Sequence, residues 1–489
     1  MSDEGAGLPT SWVMSTIGEW CLNLDSKRLP INSDERKNRL HGKADSELYP
    51  YFGATGQVGR IDGYLFDGEY VLIGEDGAPF LDPFRPKAYI ASGKFWVNNH
   101  AHILSAPIHS KFVCYYLNQF RYADHVTGTT RLKLTKGALE QLPISIAPEA
   151  EQKRIVAKIE ELFSELDKGI ENLKLARAQL AVYRQTLLKH AFEGKLTADW
   201  RASHAGQHES GEQLLARVRA ERDASYSKQF VAWQSLADDD SSQLPSLPDG
   251  WIWIPFGNLC FSIRNGISAK PTGETGEKIF RISAVRPMKV DLDDCRYIET
   301  DSNEYDGYLL EENDLLFTRY NGSRKFVGVC GRFSGTQRRL FPDKLIRAKI
   351  GVKSALPKFL EASFGCGATR AFVESRIRTT AGQAGVSGGD IKAIPVPICS
   401  ADEQGEIIRI LEQSLPHIDS LESEIDTNLQ KSEALRQSIL KKAFAGELVP
   451  QDPNDEPASA LLDRIRTERQ AGAKLPKAAR KARLGRKKA

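Results

Sequence analysis

Apolar residues fall at every seventh position over two long stretches of the chain. In the first they are Ile159, Leu166, Leu173, Leu180 and Leu187. In the second they are Leu411, Ile418, Ile425 and Ile439, with Ser432 the polar member of the series. Such a sustained spacing keeps one stripe of a helix facing a partner helix, the pattern of a coiled-coil seam. The ends carry matching signals. Pro148 suits a first helical turn, where its missing N–H costs nothing, and Ser400-Ala-Asp-Glu403 reads as a capping box. Gly194 and Gly446 close the two stretches with the residue that enters the left-handed conformation most cheaply. Pro416 is expected to kink or restart the second helix, because its ring clashes with the preceding turn.

The two stretches are copies of each other. Residues 142–196 align with residues 394–448 at an offset of 252 without a gap, and fifteen of the fifty-five pairs are identical, among them Glu151/Glu403, Gln152/Gln404, Phe192/Phe444 and Gly194/Gly446. Because 252 is a multiple of seven, both seams share one phase, and the economical solution packs the two helices on each other. Antiparallel pairing would create a pseudo-two-fold axis across them. The repeat reaches further: Leu8–Cys21 resembles Leu247–Cys260, and Leu214–Arg222 resembles Leu461–Arg469. A repeat of this size dictates the architecture. The expected order is a domain at 1–147, a long helix at 148–196, a linker with a short helix at 197–246, a second domain at 247–399, a second long helix at 400–448, and a short helix with a basic tail at 449–489. Between matched ends the two bodies have almost nothing in common, which points to one scaffold carrying two different recognition surfaces.

Both bodies read as mixed α/β. Phe66–Ile73, Phe95–Val97, Asp314–Arg319 and Phe326–Cys330 look like strands, punctuated by turns at Gly53–Gly56 and Asn321–Ser323. At 489 residues the chain accommodates two domains of ordinary size. No apolar run approaches a membrane span, and the polar start MSDEGAG is unlike a secretory signal. Seven scattered cysteines without a C-x-x-C pair suit a reducing cytoplasm, the expected location.

The net charge of +3 says little, but its distribution says more. Residues 315–360 hold eleven Lys or Arg and one acid, after a stretch at 291–314 with ten acids and one Arg; residues 84–136 are basic in the same way, after an acidic stretch at 60–83. Each body is therefore expected to carry a basic face, the electrostatic footprint of a phosphate-backbone binder. Candidate DNA contacts are Lys94, Asn98, Asn99, Arg131 and Lys133 in the first body. In the second they are Arg319, Asn321, Ser323, Arg324, Lys325, Lys344 and Arg347. Arg and Asn reach guanine and adenine edges with paired hydrogen bonds, while Lys and Ser suit phosphates. His100 and His102 alternate on one strand, yet no Cys or spaced acid completes a metal site, so no metal is expected. The chain also lacks a phosphate loop, a nucleophile elbow and a full amino-methyltransferase signature (Leu81-Asp-Pro-Phe84 is one residue short), so no catalytic residue is assigned.

The duplicated openings Leu142–Ile155 and Ile394–Ile407, and the duplicated L-K-x-A-F-x-G-x-L closings Leu188–Leu196 and Leu440–Leu448, resemble those of type I restriction–modification specificity subunits. Tyr51–Gly56 with Phe66–Glu69 and Trp96–His100 is similar to one class of their target recognition domains, and Tyr308–Ser323 with Val327-Gly to another. The resemblance implies two globular target recognition domains separated by two long antiparallel coiled-coil helices, in a noncatalytic subunit. Each domain would read one half of a split double-stranded DNA site. The helices would set the gap and dock two methyltransferase subunits, which restriction/translocase subunits join. S-adenosylmethionine, ATP and magnesium would then belong to the partners. Leu188, Phe192, Leu440 and Phe444, at equivalent helix ends, are the expected docking residues. Ser400 departs from the usual proline, and the tail from Lys474 to Ala489 is unusually basic, suited to nonspecific DNA binding. The rival readings are a standalone nuclease or methyltransferase with its own DNA-reading repeats, and a coiled-coil adaptor that binds only protein.

Overall fold

A computed structural model describes residues 7–224, 230–271, 273–299, 304–380 and 382–474. The basic tail beyond Lys474 lies outside them. The chain divides into two compact units, one of residues 1–175 and 425–489, the other of residues 176–424. Each is a mixed α/β body joined to part of both long helices. These are α2 (Glu149–Phe192) and α4 (Ala401–Phe444); a shorter helix, α1 (Ser33–Leu40), precedes them, and α3 (Gly211–Ala224) and α5 (Ala458–Lys474) follow each in turn. At 44 residues, each long helix spans about 66 Å. Of the two outcomes expected at Pro416, a kink or a restart, the restart does not occur, since α4 runs through the proline. Leu411 and Ile418, on either side of the proline, are both sunk in the core, which holds the helical path across the one hydrogen bond that proline cannot make.

In the first unit, Leu22–Asn23, Ala101–Ser105, Tyr70–Gly74 and Ala88–Ala91 form an antiparallel sheet in that order. A second sheet orders Gly56–Ile61, Tyr49–Gly53, Lys94–Val97 and Phe66–Asp67, with the middle pair parallel. The expected strand Phe66–Ile73 is split, because Gly68 takes a φ of 130°. In the second unit, Cys260–Asn265, Leu345–Ile350, Leu315–Thr318 and Cys330–Arg332 make the main sheet. A strand expected over Phe326–Cys330 is instead a short 3-10 turn at Arg324–Phe326 followed by the strand from Cys330, since Gly328 turns left-handed at φ 64°.

The repeated residues build the same joint twice. In the first unit Val13–Thr16 pairs with Pro143–Ile146, and in the second Ile252–Pro255 pairs with Pro395–Ile398. Trp12 donates to Glu151 and Trp251 to Glu403, both at 3.0 Å. Gln152 and Gln404 each donate to the carbonyl five residues before them, at 2.8 Å. The Ser400 box is half formed: Ser400 accepts from the Glu403 N–H, while the Glu403 carboxylate is taken by Trp251, Thr197 and Arg201. Gly194 and Gly446 take φ values of 68° and 78°, and each lies against a proline, Pro248 and Pro9, where a side chain would collide.

Within each unit the long helices pair antiparallel. In the first, Glu151 lies at Gln451 while Asp167, further along, meets Arg436. In the second, Glu403 lies at Arg201 while Asp419 meets Arg184. The seam is visible in burial: Ile159, Leu187, Leu411, Ile418, Ile425 and Ile439 are buried, and Leu166, Leu173 and Leu180 are half-buried.

Candidate nucleic-acid interface

The basic and acidic stretches do not form separate faces. They fold onto one another. Asp76 accepts from Arg131 at 2.7 Å and faces His100 at 2.8 Å; Glu75 lies 3.2 Å from Lys133 and 2.8 Å from Arg28. Burial pushes the Glu75 carboxyl up, but Arg28, His102 and Lys133 together outweigh it and hold the group below its ordinary range. In the second unit Lys349 pairs with Glu311, and Arg338 with Glu277 and Asp306. Part of each basic stretch is thus paired with acids of the stretch before it, while Lys94 in the first unit and Lys325 and Lys344 in the second stay exposed.

The candidate residues of the first unit are scattered over these pairs. Arg131 and Lys133 remain exposed but carry acidic partners. Lys94 is exposed, with its ammonium 4.9 Å from the Tyr64 ring centroid. Asn98 folds back to accept from the His100 N–H at 2.8 Å, and Asn99 is exposed beside it. His102 is fully buried between Asp25, at 2.5 Å, and the Leu134 carbonyl, at 2.8 Å. Its two nitrogens serve the fold, and among the described residues no cluster of three or more metal-ligating side chains occurs.

The candidates of the second unit converge better. The Arg319 N–H donates to the Lys344 carbonyl and the Arg319 carbonyl accepts from Val386, so three segments meet at this residue. The Arg319 guanidinium lies 4.7 Å from the Tyr320 ring centroid, and Tyr320–Asn321 pairs with Gln383–Gly385, which pairs in turn with Arg378–Thr380. Asn321 accepts from the Ser323 N–H at 2.9 Å, shaping the turn, and the exposed Ser323, Lys325 and Lys344 surround it. Arg324 is tied to the Glu374 carbonyl at 3.0 Å. Arg347 does not belong to this surface: it is 7 % exposed and donates to the Leu309 carbonyl at 2.8 Å, with Asp314 at 3.9 Å. Sequence reasoning also missed cations outside the basic stretches, namely Arg36 and Arg39 on α1, stacked over Tyr51 and Trp96. The available sign was their placement in a short helix that is polar apart from Leu40.

The helix-end docking residues are corrected. Leu188 and Phe192 are buried in the second unit, where Phe192 meets Phe359 edge to face at 5.1 Å. Leu440 and Phe444 are buried in the first, where Phe444 contacts Phe112 and Tyr116, each at 5.1 Å. The closing motif thus anchors each helix end in a domain core. The large apolar groups left exposed on the long helices are Leu175, Val182, Tyr183 and Leu435, and of these Tyr183 and Leu435, 54 % and 51 % exposed, form a matched pair. They occupy equivalent places in the repeat, since 435 − 183 = 252.

Residues 9–175 match the family model of the type I restriction modification DNA specificity domain. The chain is 33 % identical over 379 residues to the type I restriction enzyme EcoKI specificity subunit of Escherichia coli strain K12, covering 74 % of this chain and 73 % of that one. It is 25 % identical over 491 residues to the EcoDI specificity subunit of Escherichia coli, covering 95 % and 96 %. A chain from a structural study of complex assembly and conformational transition of the type I R-M system superposes with a TM-score of 0.60 at 16 % identity, over 90 % of this chain and all of that one.

Proposed function

The chain belongs to the specificity subunits of type I restriction–modification systems, and from that premise we propose that each unit reads one half of a bipartite double-stranded DNA site. The observation that carries this is the double joint. Trp12–Glu151 and Trp251–Glu403 mount two bodies in the same way, yet the sheets beyond those joints have different strand orders. One mounting with two dissimilar outer surfaces suits one subunit reading two dissimilar half-sites, and the antiparallel helices suit a ruler between them. In the second unit the turn from Arg319 to Lys325 with Lys344 is assigned to the DNA.

The reaction chemistry is assigned to partners: two modification subunits, with S-adenosylmethionine, and restriction/translocase subunits with ATP and magnesium. Tyr183 and Leu435, equivalent and exposed on the helices, are assigned to docking the modification subunits. Among the described residues no helix is long and apolar enough to cross a membrane, and a cytoplasmic setting goes with a chromosomal DNA substrate. Sequencing the methylated positions in a host that carries the chain with its modification subunits tests the reading. A motif of two short specified blocks around an unread gap is expected, and a single uninterrupted motif would overturn it.

A further inference from the structure

Helix α1 of the first unit is an anomaly in packing terms. None of its eight residues, SDERKNRL, is buried. A short helix whose single apolar residue, Leu40, is only half-buried gains little burial and is marginal by itself. What fixes it is a set of arginine stacks. Arg36 lies 5.0 Å from the Tyr51 ring centroid and Arg39 lies 4.9 Å from that of Trp96, while Arg39 also donates to Asp62 at 2.5 Å. Asn32 caps the start, accepting from the Glu35 N–H at 2.8 Å. Gly59 and Gly63 leave room for the two guanidinium groups, whose nitrogens lie 3.4 and 3.3 Å from where a β-carbon would be. The helix is thus held rigidly by one side and left bare on the other.

The helix lies beside an edge strand. Gly56–Ile61 is the outermost strand of its sheet, and Arg36 lies against its Gly59. Exposed on α1 are Ser33, Asp34, Glu35, Lys37 and Asn38; exposed on the strand are Gln57, whose Nε2 donates to the Gly59 carbonyl at 3.1 Å, Val58 at 50 % and Arg60. Two carboxamides, two cations and one small apolar group are the side chains that read base edges: carboxamides for adenine, cations for guanine or phosphate, an apolar contact for the thymine methyl. A duplex major groove admits one helix of this width. Asp34 and Glu35, at the start of the helix, suit a cytosine amino group rather than phosphate.

We propose that α1 with the strand Gly56–Ile61 is the base-reading surface of the first unit, and that Lys37, Asn38, Gln57 and Arg60 determine its half-site. This rests on the half-site reading above and names the residues that carry it out. It also moves the reading surface away from the basic stretch at 84–136, whose Arg131 and Lys133 are engaged by acids.

The test uses the full chain assembled with its modification subunits in a host whose methylated motif is sequenced. Because Lys37, Asn38 and Arg60 are exposed, Lys37→Ala/Asn38→Ala and Arg60→Ala are expected to keep the thermal midpoint of the purified chain. They should relax one or two base positions in a single half of the motif, lowering discrimination there about five- to a hundredfold. The half affected should be the one that Arg319→Ala leaves intact. An unchanged motif in both α1 and strand variants would overturn the proposal, as would equal loss of both halves. A wild-type motif without two blocks would instead overturn the half-site reading itself, which keeps the two failures distinct.

Discussion

Trp251 donates its indole N–H to Glu403 at 3.0 Å at the start of the second long helix, inside a buried joint that also brings Thr197 and Arg201 to the same carboxylate. The carboxylate is the acceptor common to these donors, so its loss leaves the Trp251 and Thr197 donors without it, while Arg201, 19 % exposed, keeps the Gly194 carbonyl. Glu403→Ala should destabilise the chain by about 1–3 kcal/mol, and Glu403→Gln, which keeps a carbonyl acceptor, by less. The shift in chemical denaturation midpoint checks this, and equal effects of the two substitutions would contradict it.

Asp314 makes a pH-dependent contribution of known sign. Burial raises its carboxyl from 3.8 to about 6, only partly opposed by the Glu311 N–H and by Arg347. Between those values the folded state holds the proton and the unfolded chain releases it, so stability from this group falls as pH rises from about 4 to about 6. Asp314→Asn should therefore stabilise the chain at pH 7.5 by about 1–3 kcal/mol, with the gain gone at pH 4. Denaturation at both pH values checks it.

Arg319 and Asn321 sit on the same turn, one half-buried over Tyr320 with its Nη1 donating to the Asp343 carbonyl at 3.4 Å and the other shaping the turn. Arg319→Ala should relax one half-site by about 1–3 kcal/mol of discrimination and leave the other alone. Loss of both halves with a lowered melting midpoint would show that the turn is structural.

Tyr183→Asp or Leu435→Asp should each remove one modification subunit from the assembly. Native mass measurement with partner at saturation checks this: two partners are expected on the parent chain and one on each variant. Two partners on either variant would place the docking surface elsewhere.

The helices were legible from sequence because their signal is periodic and local. Ile159 to Leu187 and Leu411 to Ile439 announce a seam, and Gly194 and Gly446 mark its ends. The paired joints were legible as repeated letters, but not their purpose. Phe192 and Phe444 recur for packing against Phe359 and Phe112, and repetition alone does not distinguish a core anchor from a docking knob. Charge was the least legible. Glu75 and Asp76 lie far in sequence from Lys133 and Arg131, and only the strand pairing that joins them shows that these two cations are already engaged. Arg347 reads like any other cation of its segment until the sheet places it inside.

In the proposed function the paired helices set the gap between two half-sites. Residues 149–175 of α2 belong to one unit and residues 176–192 to the other, so the helix is continuous across the division. Inserting four residues between Lys174 and Arg177, about one helical turn, lengthens it by about 6 Å. One or two base-pair steps of about 3.4 Å correspond to that length. Sequencing the methylated motif of the insertion variant should show both half-sites unchanged and the unread spacer longer by one or two base pairs. Methylation at the original spacing would contradict the claim that the helices are the ruler.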